Sequence, residues 1–237
     1  MKKIMLGMLV FATSNAMALA NNLNLYGKVG ADFVSKFESI SPSIYLFSAP
    51  SKNTVSPNLF LELTYNVTPE IEFGVGSGYI RRKSYNYVQY GKTPQNFSGQ
   101  IHELDIKEYS KVNRYSSIPL YLIGKYNFNI QPNLAFYIKG DLGYSFNKLK
   151  ATTHHYKTDV DILGNGQYSK DANSYMQTSV TNGHYYGIGI GTEYKNLLAE
   201  IAYHHTSARL KYHTFALRLQ NVSYDNDAVR FSIGYKF

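Results

Sequence analysis

The chain has 237 residues, a mean hydropathy of −0.30 and no long apolar run beyond its first residues, which excludes a bundle of transmembrane helices. Cysteine is absent, which excludes a disulfide framework and any Cys-ligated metal. The formal charge is +8, and Lys2 and Lys3 contribute two of its units.

Those two lysines open a leader. The apolar run Ile4 to Ala12 follows them, and Ala16-Met17-Ala18 and Ala18-Leu19-Ala20 are both A-x-A cleavage sites. The pattern predicts a secretory signal peptide over residues 1–20 and a mature domain over 21–237. The run is far short of the ~20 residues a spanning helix needs. With no cysteine behind it, a lipoprotein anchor is excluded.

Beyond the leader the dominant signal is period-2 alternation, in eight segments. From about Asn22 to Phe37, Leu23, Leu25, Val29, Ala31 and Phe33 share one face, and Asn24, Lys28 and Asp32 the other. From Pro57 to Val67, Leu59, Leu61, Leu63 and Tyr65 alternate with Glu62, Thr64 and Asn66. Thr68-Pro69-Glu70 then turns the chain into Ile71 to Arg81, where Ile71, Phe73, Val75 and Tyr79 oppose Glu72, Gly74, Gly76 and Gly78. Ser116 to Phe128 sends Ile118, Leu120, Leu122, Tyr126 and Phe128 one way and Tyr121, Lys125 and Asn127 the other, and Pro119 within it predicts a bulge. Leu134 to Phe146 alternates Phe136, Ile138, Leu142 and Tyr144 with Tyr137, Lys139, Asp141 and Ser145. His184 to Tyr194 sets Tyr186, Ile188 and Ile190 against Gly187, Gly189, Gly191 and Glu193. Lys195-Asn196 leads into Leu197 to Ser207, with Ile201 and Tyr203 against Glu200, Ala202 and His204. The last segment, Asp227 to Phe237, puts Val229, Phe231, Ile233, Tyr235 and Phe237 opposite Arg230, Ser232, Gly234 and Lys236.

One side of every segment is apolar enough for lipid and the other is polar. Short and long connections alternate strictly, and Tyr and Phe gather near both ends of the outward rows. This predicts an all-β, closed antiparallel eight-stranded transmembrane β-barrel with short periplasmic turns and long extracellular loops, placed in the bacterial outer membrane with its loops at the cell surface. A ten-stranded variant would recruit Leu210 to Tyr224 as an extra hairpin. An eight-stranded barrel is just wide enough for its own side chains. The inward residues Asp32, Glu62, Glu72, Asp141, Glu193 and Glu200 nearly balance Lys28, Lys125, Lys139, Arg230 and Lys236. Unpaired charges in such a lumen are costly, so an ion-pair network that blocks passage is expected, above all from Glu62, Glu72, Lys125, Lys139, Asp141, Glu193, Glu200 and Arg230. A small solute channel is the competing reading of the same lumen.

Four segments carry a resemblance to the small outer-membrane barrel superfamily of opacity proteins, the OmpA transmembrane domain and OmpX. They are Leu23 to Phe33, Ser117-Ile118-Pro119-Leu120-Tyr121-Leu122, Gly187 to Tyr194, and Arg230 to Phe237. The resemblance covers the strands and not the loops. It implies that Phe231, Ile233, Tyr235 and Phe237 form the signal read by the barrel-assembly machinery.

His205-Thr206-Ser207 resembles the His-x-Ser of lipid A 3-O-deacylases, in which Ser207 would be the nucleophile and His205 its base. The match stops there: Ala208 follows the serine where that family has Asn, and no Glu occurs after Glu200 to orient the histidine, which leaves only Asp225 or Asp227 to stand in. The expectation is therefore a non-enzymatic protein with no catalytic residues. His154, His155, Asp159 and Asp161 fall in a polar loop without metal-ligand spacing, so neither a metal nor another cofactor is expected.

The second long loop, Arg82 to Tyr115, interleaves basic and aromatic residues. Arg81, Arg82, Lys83, Tyr85, Tyr87 and Tyr90 are its candidate contact residues, against lipopolysaccharide phosphates or a ligand on a host or neighbouring cell. Nucleic acid is not an expected partner. The leading function from sequence is adhesion or another surface interaction through the long loops.

Overall fold

A computed structural model describes residues 22–39, 53–97, 100–112, 114–131, 133–149, 153–161, 167–175, 178–213 and 219–237. The predicted signal peptide, residues 1–20, lies outside them, as do residues 40–52 of the first long connection, Glu38 to Ser56.

Among the described residues fifteen strands follow in chain order: β1 (Leu23–Phe37), β2 (Ser56–Asn66), β3 (Ile71–Ile80), β4 (Tyr85–Phe97), β5 (Gln100–Val112), β6 (Ser116–Gln131), β7 (Leu134–Lys148), β8 (Thr153–Asp161), β9 (Gln167–Tyr175), β10 (Thr178–Val180), β11 (Gly183–Tyr194), β12 (Leu197–Thr206), β13 (Arg209–His213), β14 (Leu219–Ser223) and β15 (Asn226–Lys236). Eight of them close an antiparallel barrel in the order β1-β15-β12-β11-β7-β6-β3-β2. These are the eight segments whose alternation spans a membrane. In β2 buried and exposed residues alternate without a break from Ser56 to Tyr65.

The exposed rows are apolar: Leu61, Leu63, Phe73, Val75, Leu122, Leu142, Ile188, Ile190, Ile201 and Ile233 all face outward, and Leu142 is 65% exposed. No protein surface covers them, and a belt of this extent needs an apolar solvent. Closure leaves no unpaired edge inside that solvent. Tyr65, Tyr126, Phe128, Tyr194 and Tyr235 flank the belt at the turn end, and Tyr79, Tyr144, Phe146, Tyr186 and Tyr203 at the loop end.

Turns at residues 67–70 and 195–196 join β2 to β3 and β11 to β12, and Asn133 turns directly into β7. Lys195 adopts a left-handed φ of 55° in the tightest of them. The Asn196 side-chain amide donates to the Lys236 carbonyl at 2.7 Å, tying that turn to the final strand.

The bulge expected at Pro119 is not there. Pro119 pairs with Ser145 in an unbroken ladder with β7. Toward β3 the pairs Ser77–Leu120 and Ile80–Ser117 share one register, with no pairs between them. A short gap in one ladder thus absorbs the missing donor without adding a residue. Register shifts occur instead between Asp32 and Val34 and between Asn129 and Gln131. The first turns both Phe33 and Val34 outward.

At the loop end the remaining strands form two sheets outside the barrel. One has the order β4-β5-β8-β9 and the other β10-β13-β14. The hairpin containing Leu210 and Tyr224 therefore adds nothing to the ring, which stays at eight strands. Both residues are buried with Phe37, Tyr115 and Ala208 in an apolar cluster, so they cannot serve as a lipid-facing row.

Candidate functional site

The lumen is where the inward rows converge, and two strands make room for it. The inward positions of β11 include Gly187, Gly189 and Gly191, and those of β3 include Gly74, Gly76 and Gly78. A Cβ at Gly191 would lie 2.3 Å from Tyr137 Cζ, and one at Gly76 2.5 Å from Tyr121 Cζ. The tyrosines of neighbouring strands occupy the space these glycines leave.

Charge then pairs across the barrel in layers. Lys28 lies 2.7 Å from Glu62 and 2.8 Å from Glu200. Lys139 lies 2.8 Å from Glu62, 3.4 Å from Glu200 and 3.3 Å from Asp141. Two lysines and two glutamates thereby alternate in a closed ring. Tyr121 donates to Glu62 at 2.9 Å and Tyr137 to Glu200 at 3.0 Å.

Toward the turn end, Glu72 accepts from Thr64 at 2.6 Å, Asn127 at 2.7 Å, Lys125 at 3.0 Å and Tyr26 at 3.1 Å. Lys125 reaches Glu193 at 3.2 Å, and Glu193 reaches Lys236 at 3.2 Å. Toward the loop end, Arg230 binds Asp32 at 2.6 Å, donates to the Tyr185 hydroxyl at 3.1 Å and lies 4.3 Å from the Phe60 ring centre. His204 Nδ1 shares a hydrogen bond with the Tyr185 hydroxyl at 2.9 Å. All eight residues read from sequence as a lumen network thus meet in ion pairs. Of the neutral partners, Thr64 and Asn127 were read from sequence as inward positions and Tyr26 and Tyr185 were not, and alternation carries no sign of whom any of them bonds.

Arg82 is the main correction. Sequence places it on the surface beside Arg81 and Lys83, which are indeed exposed, whereas Arg82 is 5% exposed. It turns into the barrel mouth, donating to Asn226 at 2.9 Å, Ser117 at 2.5 Å and Thr206 at 3.3 Å. One guanidinium thus ties the loop ends of β6, β12 and β15 to the end of β3. Its carbon lies 4.9 Å from the Tyr115 ring centre, while Arg114 stacks 4.6 Å from that of Phe37. Phe37, Tyr115 and Tyr224 pack edge to face or tilted beside them, so Arg114 and Tyr115 belong to this plug and not to an outer loop surface. Tyr85, Tyr87 and Tyr90 sit in β4, where only the backbone is described.

The His-x-Ser candidate lies on the outward face of β12. His205 Nδ1 meets Asp227 at 2.8 Å, Tyr203 donates to the same carboxylate at 2.5 Å, and Tyr186 stacks on the imidazole. Asp227 therefore holds the orienting position that no downstream Glu fills. The nucleophile is occupied elsewhere: Ser207 Oγ accepts from the His184 amide at 2.8 Å and donates to its carbonyl at 3.3 Å. His205 Nε2 points toward Asp225 at 3.9 Å. The side chains of His154, His155, Asp159 and Asp161 lie outside what is described, and among the described residues no group of three or more His or acidic side chains could hold a metal.

The closing strand joins the first. The Phe237 amide donates to the Leu25 carbonyl at 2.9 Å. Its ring covers Gly27, where a Cβ would sit 3.2 Å from Phe237 Cε2, and packs edge to face on Tyr235. Phe231, Ile233 and Tyr235 continue the same outward row.

A ring of eight antiparallel strands, apolar outside and filled with paired charge inside, defines a transmembrane β-barrel. No family model matches the chain. Over 239 residues it is 50% identical to the uncharacterized protein PM1543 of Pasteurella multocida (strain Pm70), across 100% of this chain and 98% of that protein, and it belongs to the same family. Among solved structures it is similar to Neisserial surface protein A (12% identity, 91% of this chain and 97% of that one, TM-score 0.39). It is also similar to Ail, the attachment invasion locus protein of Yersinia pestis, in complex with the heparin analogue sucrose octasulfate (12%, 91% and 99%, TM-score 0.39). A third is the outer membrane protease OmpT of Escherichia coli (8%, 91% and 94%, TM-score 0.32).

Proposed function

We propose that this protein is a non-enzymatic outer-membrane surface protein whose filled barrel anchors a β-platform that contacts partners outside the cell. The observation that carries this reading is the pairing of β5 with β8, Ile106 with Val160 through Tyr109 with Lys157, which joins hairpins from two different loops. β10, from the same loop as β8 and β9, pairs in turn with β13 of the last loop. Loops knitted together this way hold a fixed surface, and little ordering entropy is left to lose on binding.

The closed ring of Lys28, Glu62, Lys139 and Glu200, capped by the Arg82 plug, supports a barrel that anchors without conducting. At the loop end the outward rows of the strands continue into Arg81, Lys83, Lys148 and Arg209, which are exposed and have no ionic partner among the described residues. Cations just beyond an aromatic girdle suit lipopolysaccharide phosphates. On this reading residues 1–20 direct export, and Phe231, Ile233, Tyr235 and Phe237 engage the barrel-assembly machinery.

The test is binding of whole cells displaying the barrel to host cells and matrix proteins, with the β4–β5 and β8–β9 hairpins intact or cut to short turns. Loss of binding with the barrel still assembled supports the platform reading; undiminished binding refutes it. A second reading, a membrane hydrolase acting on lipid A acyl esters, is favoured by the 2.8 Å contact between His205 and Asp227 alone. Lipid A mass spectra would decide for it if an acyl loss required Ser207 and vanished in Ser207→Ala.

A further inference from the structure

The rim of the barrel is charged unevenly. On the adjacent strands β3, β6 and β7 the outward rows reach Arg81, Ser116 and Lys148 at their loop ends. Ser116 pairs with Lys148, and the register Ile80–Ser117 carries Arg81 to the other side of the same Ser116. Two cations thus flank one hydroxyl across three strands, their backbones about 9.5 Å apart at the usual strand spacing. Side chains as long as arginine and lysine close that gap from both sides. Lys83 stands two residues beyond Arg81, at the root of the β4–β5 hairpin. Among the described residues no acidic side chain lies at the loop ends of these three strands.

The opposite side differs. β15 lies four strands from β6 in either direction round the ring, and the loop ends of β1 and β15 carry Glu38, Asp225 and Asp227. Cations there are matched by acids: Lys36 pairs with Asp227, and Arg209 pairs with Ser223, two residues from Asp225. An anion approaching the rim therefore meets uncompensated cations on one side and carboxylates on the other.

What lies beneath the cations selects the kind of anion. Tyr79 on β3 and Tyr144 and Phe146 on β7 are exposed in the girdle below them, and Ile118, Leu120 and Leu122 on β6 carry the outward face down into the belt. An occupant that satisfies both levels has anionic oxygens at one end and acyl chains at the other; a soluble anion uses only the upper level. Arg81 offers a planar fork that takes phosphate oxygens two at a time, and Lys148 a mobile point charge. We infer that the β3-β6-β7 sector holds one phosphorylated lipid of the outer leaflet, its phosphate between Arg81 and Lys148 and its acyl chains along β6. This rests on the outer-membrane reading above and narrows a general attraction for lipopolysaccharide phosphates to one oriented lipid per barrel.

The test uses the exported chain with all its loops, folded in phosphatidylcholine nanodiscs that carry increasing amounts of lipid A, with retained lipid counted by native mass spectrometry. One lipid A per chain is the expected result. Arg81→Ala with Lys148→Ala should weaken retention about thirtyfold, since each cation near an anionic lipid surface contributes about a factor of five. Lys36→Ala with Arg209→Ala, on the other side of the rim, should leave retention close to native, and gel mobility checks that every variant is folded. Unchanged retention in the first pair overturns the inference, as does an equal loss in both pairs, which would mark a general attraction with no sector. Lipid A stripped of its phosphates and held as tightly as the intact lipid overturns the phosphate clamp. Inorganic phosphate that displaces the lipid at equal concentration would make the ligand a soluble anion and overturn the lipid assignment. If the first pair retains lipid A like the native chain while hairpin trimming still abolishes host-surface binding, the lipid site fails and the platform reading stands. Sector-specific retention without hairpin-dependent binding gives the reverse.

Discussion

Lys139→Met tests the reasoning about the lumen most directly. Lys139 is 2% exposed and its ammonium contacts Glu62 at 2.8 Å, Asp141 at 3.3 Å and Glu200 at 3.4 Å. At an effective dielectric near 20, the shortest of these contacts is worth about 6 kcal/mol of gross attraction and the other two about 5 kcal/mol each. Desolvation of the lysine and its partners offsets most of that sum. Removing one partner of a buried pair costs about 3–5 kcal/mol, because the remaining charge is left uncompensated. In Lys139→Met, Glu62 and Glu200 would share Lys28 alone and Asp141 would lose its lysine contact, which places the loss toward the top of that range. The assay is urea unfolding of the barrel refolded in phospholipid vesicles, followed by circular dichroism and heat-modified gel mobility, since the chain has no tryptophan to report fluorescence. Adding Glu62→Gln to Lys139→Met should return about half of the loss by removing one unpaired charge. A single-variant cost below about 1 kcal/mol, or a double variant as costly as the two singles summed, would refute the paired-lumen account.

Adjacent arginines should behave differently: Arg82→Ala is expected to cost about 2–4 kcal/mol in the same assay, since three hydrogen bonds and a ring contact are lost at a buried site, and Arg81→Ala under about 0.5 kcal/mol. Single-channel recordings in planar bilayers should also show more transient openings for Arg82→Ala than for the native barrel, because the guanidinium spans four strand ends at the mouth. Gly191→Ala brings a methyl group 2.3 Å from Tyr137 Cζ and 2.7 Å from the Ala199 carbonyl, so a loss of about 1–3 kcal/mol is expected, measured as a shift in the urea midpoint. Tyr137→Leu in the same chain should recover part of it.

What the sequence determined is everything that depends on one strand and its two environments. Side chains alternate with a period of two whatever the neighbours are, and lipid and lumen each make a uniform demand. The rows led by Leu59, Leu61 and Leu63, and those holding Lys28, Glu62 and Lys139, were therefore legible residue by residue. So were the turn at Lys195-Asn196 and the inward glycines, which are local signals.

Tertiary structure decided what depends on closure. Which cation meets which acid follows from the stagger of strands far apart in the chain: Lys28 and Glu200 are separated by 172 residues yet lie 2.8 Å apart. Arg82 looks like Arg81 in sequence because both follow the end of β3. Only the mouth formed by Ser117, Thr206 and Asn226 turns one inward and leaves the other outside. Asp225 and Asp227 are equally eligible partners of His205 in sequence, and only the pairing of β12 with β15 selects Asp227. The pairing of β5 with β8 is likewise a contact between two loops, and no pattern within either loop encodes it. Alternation reports a residue's side of the sheet, and only the closed ring and its stagger bring particular residues together across it.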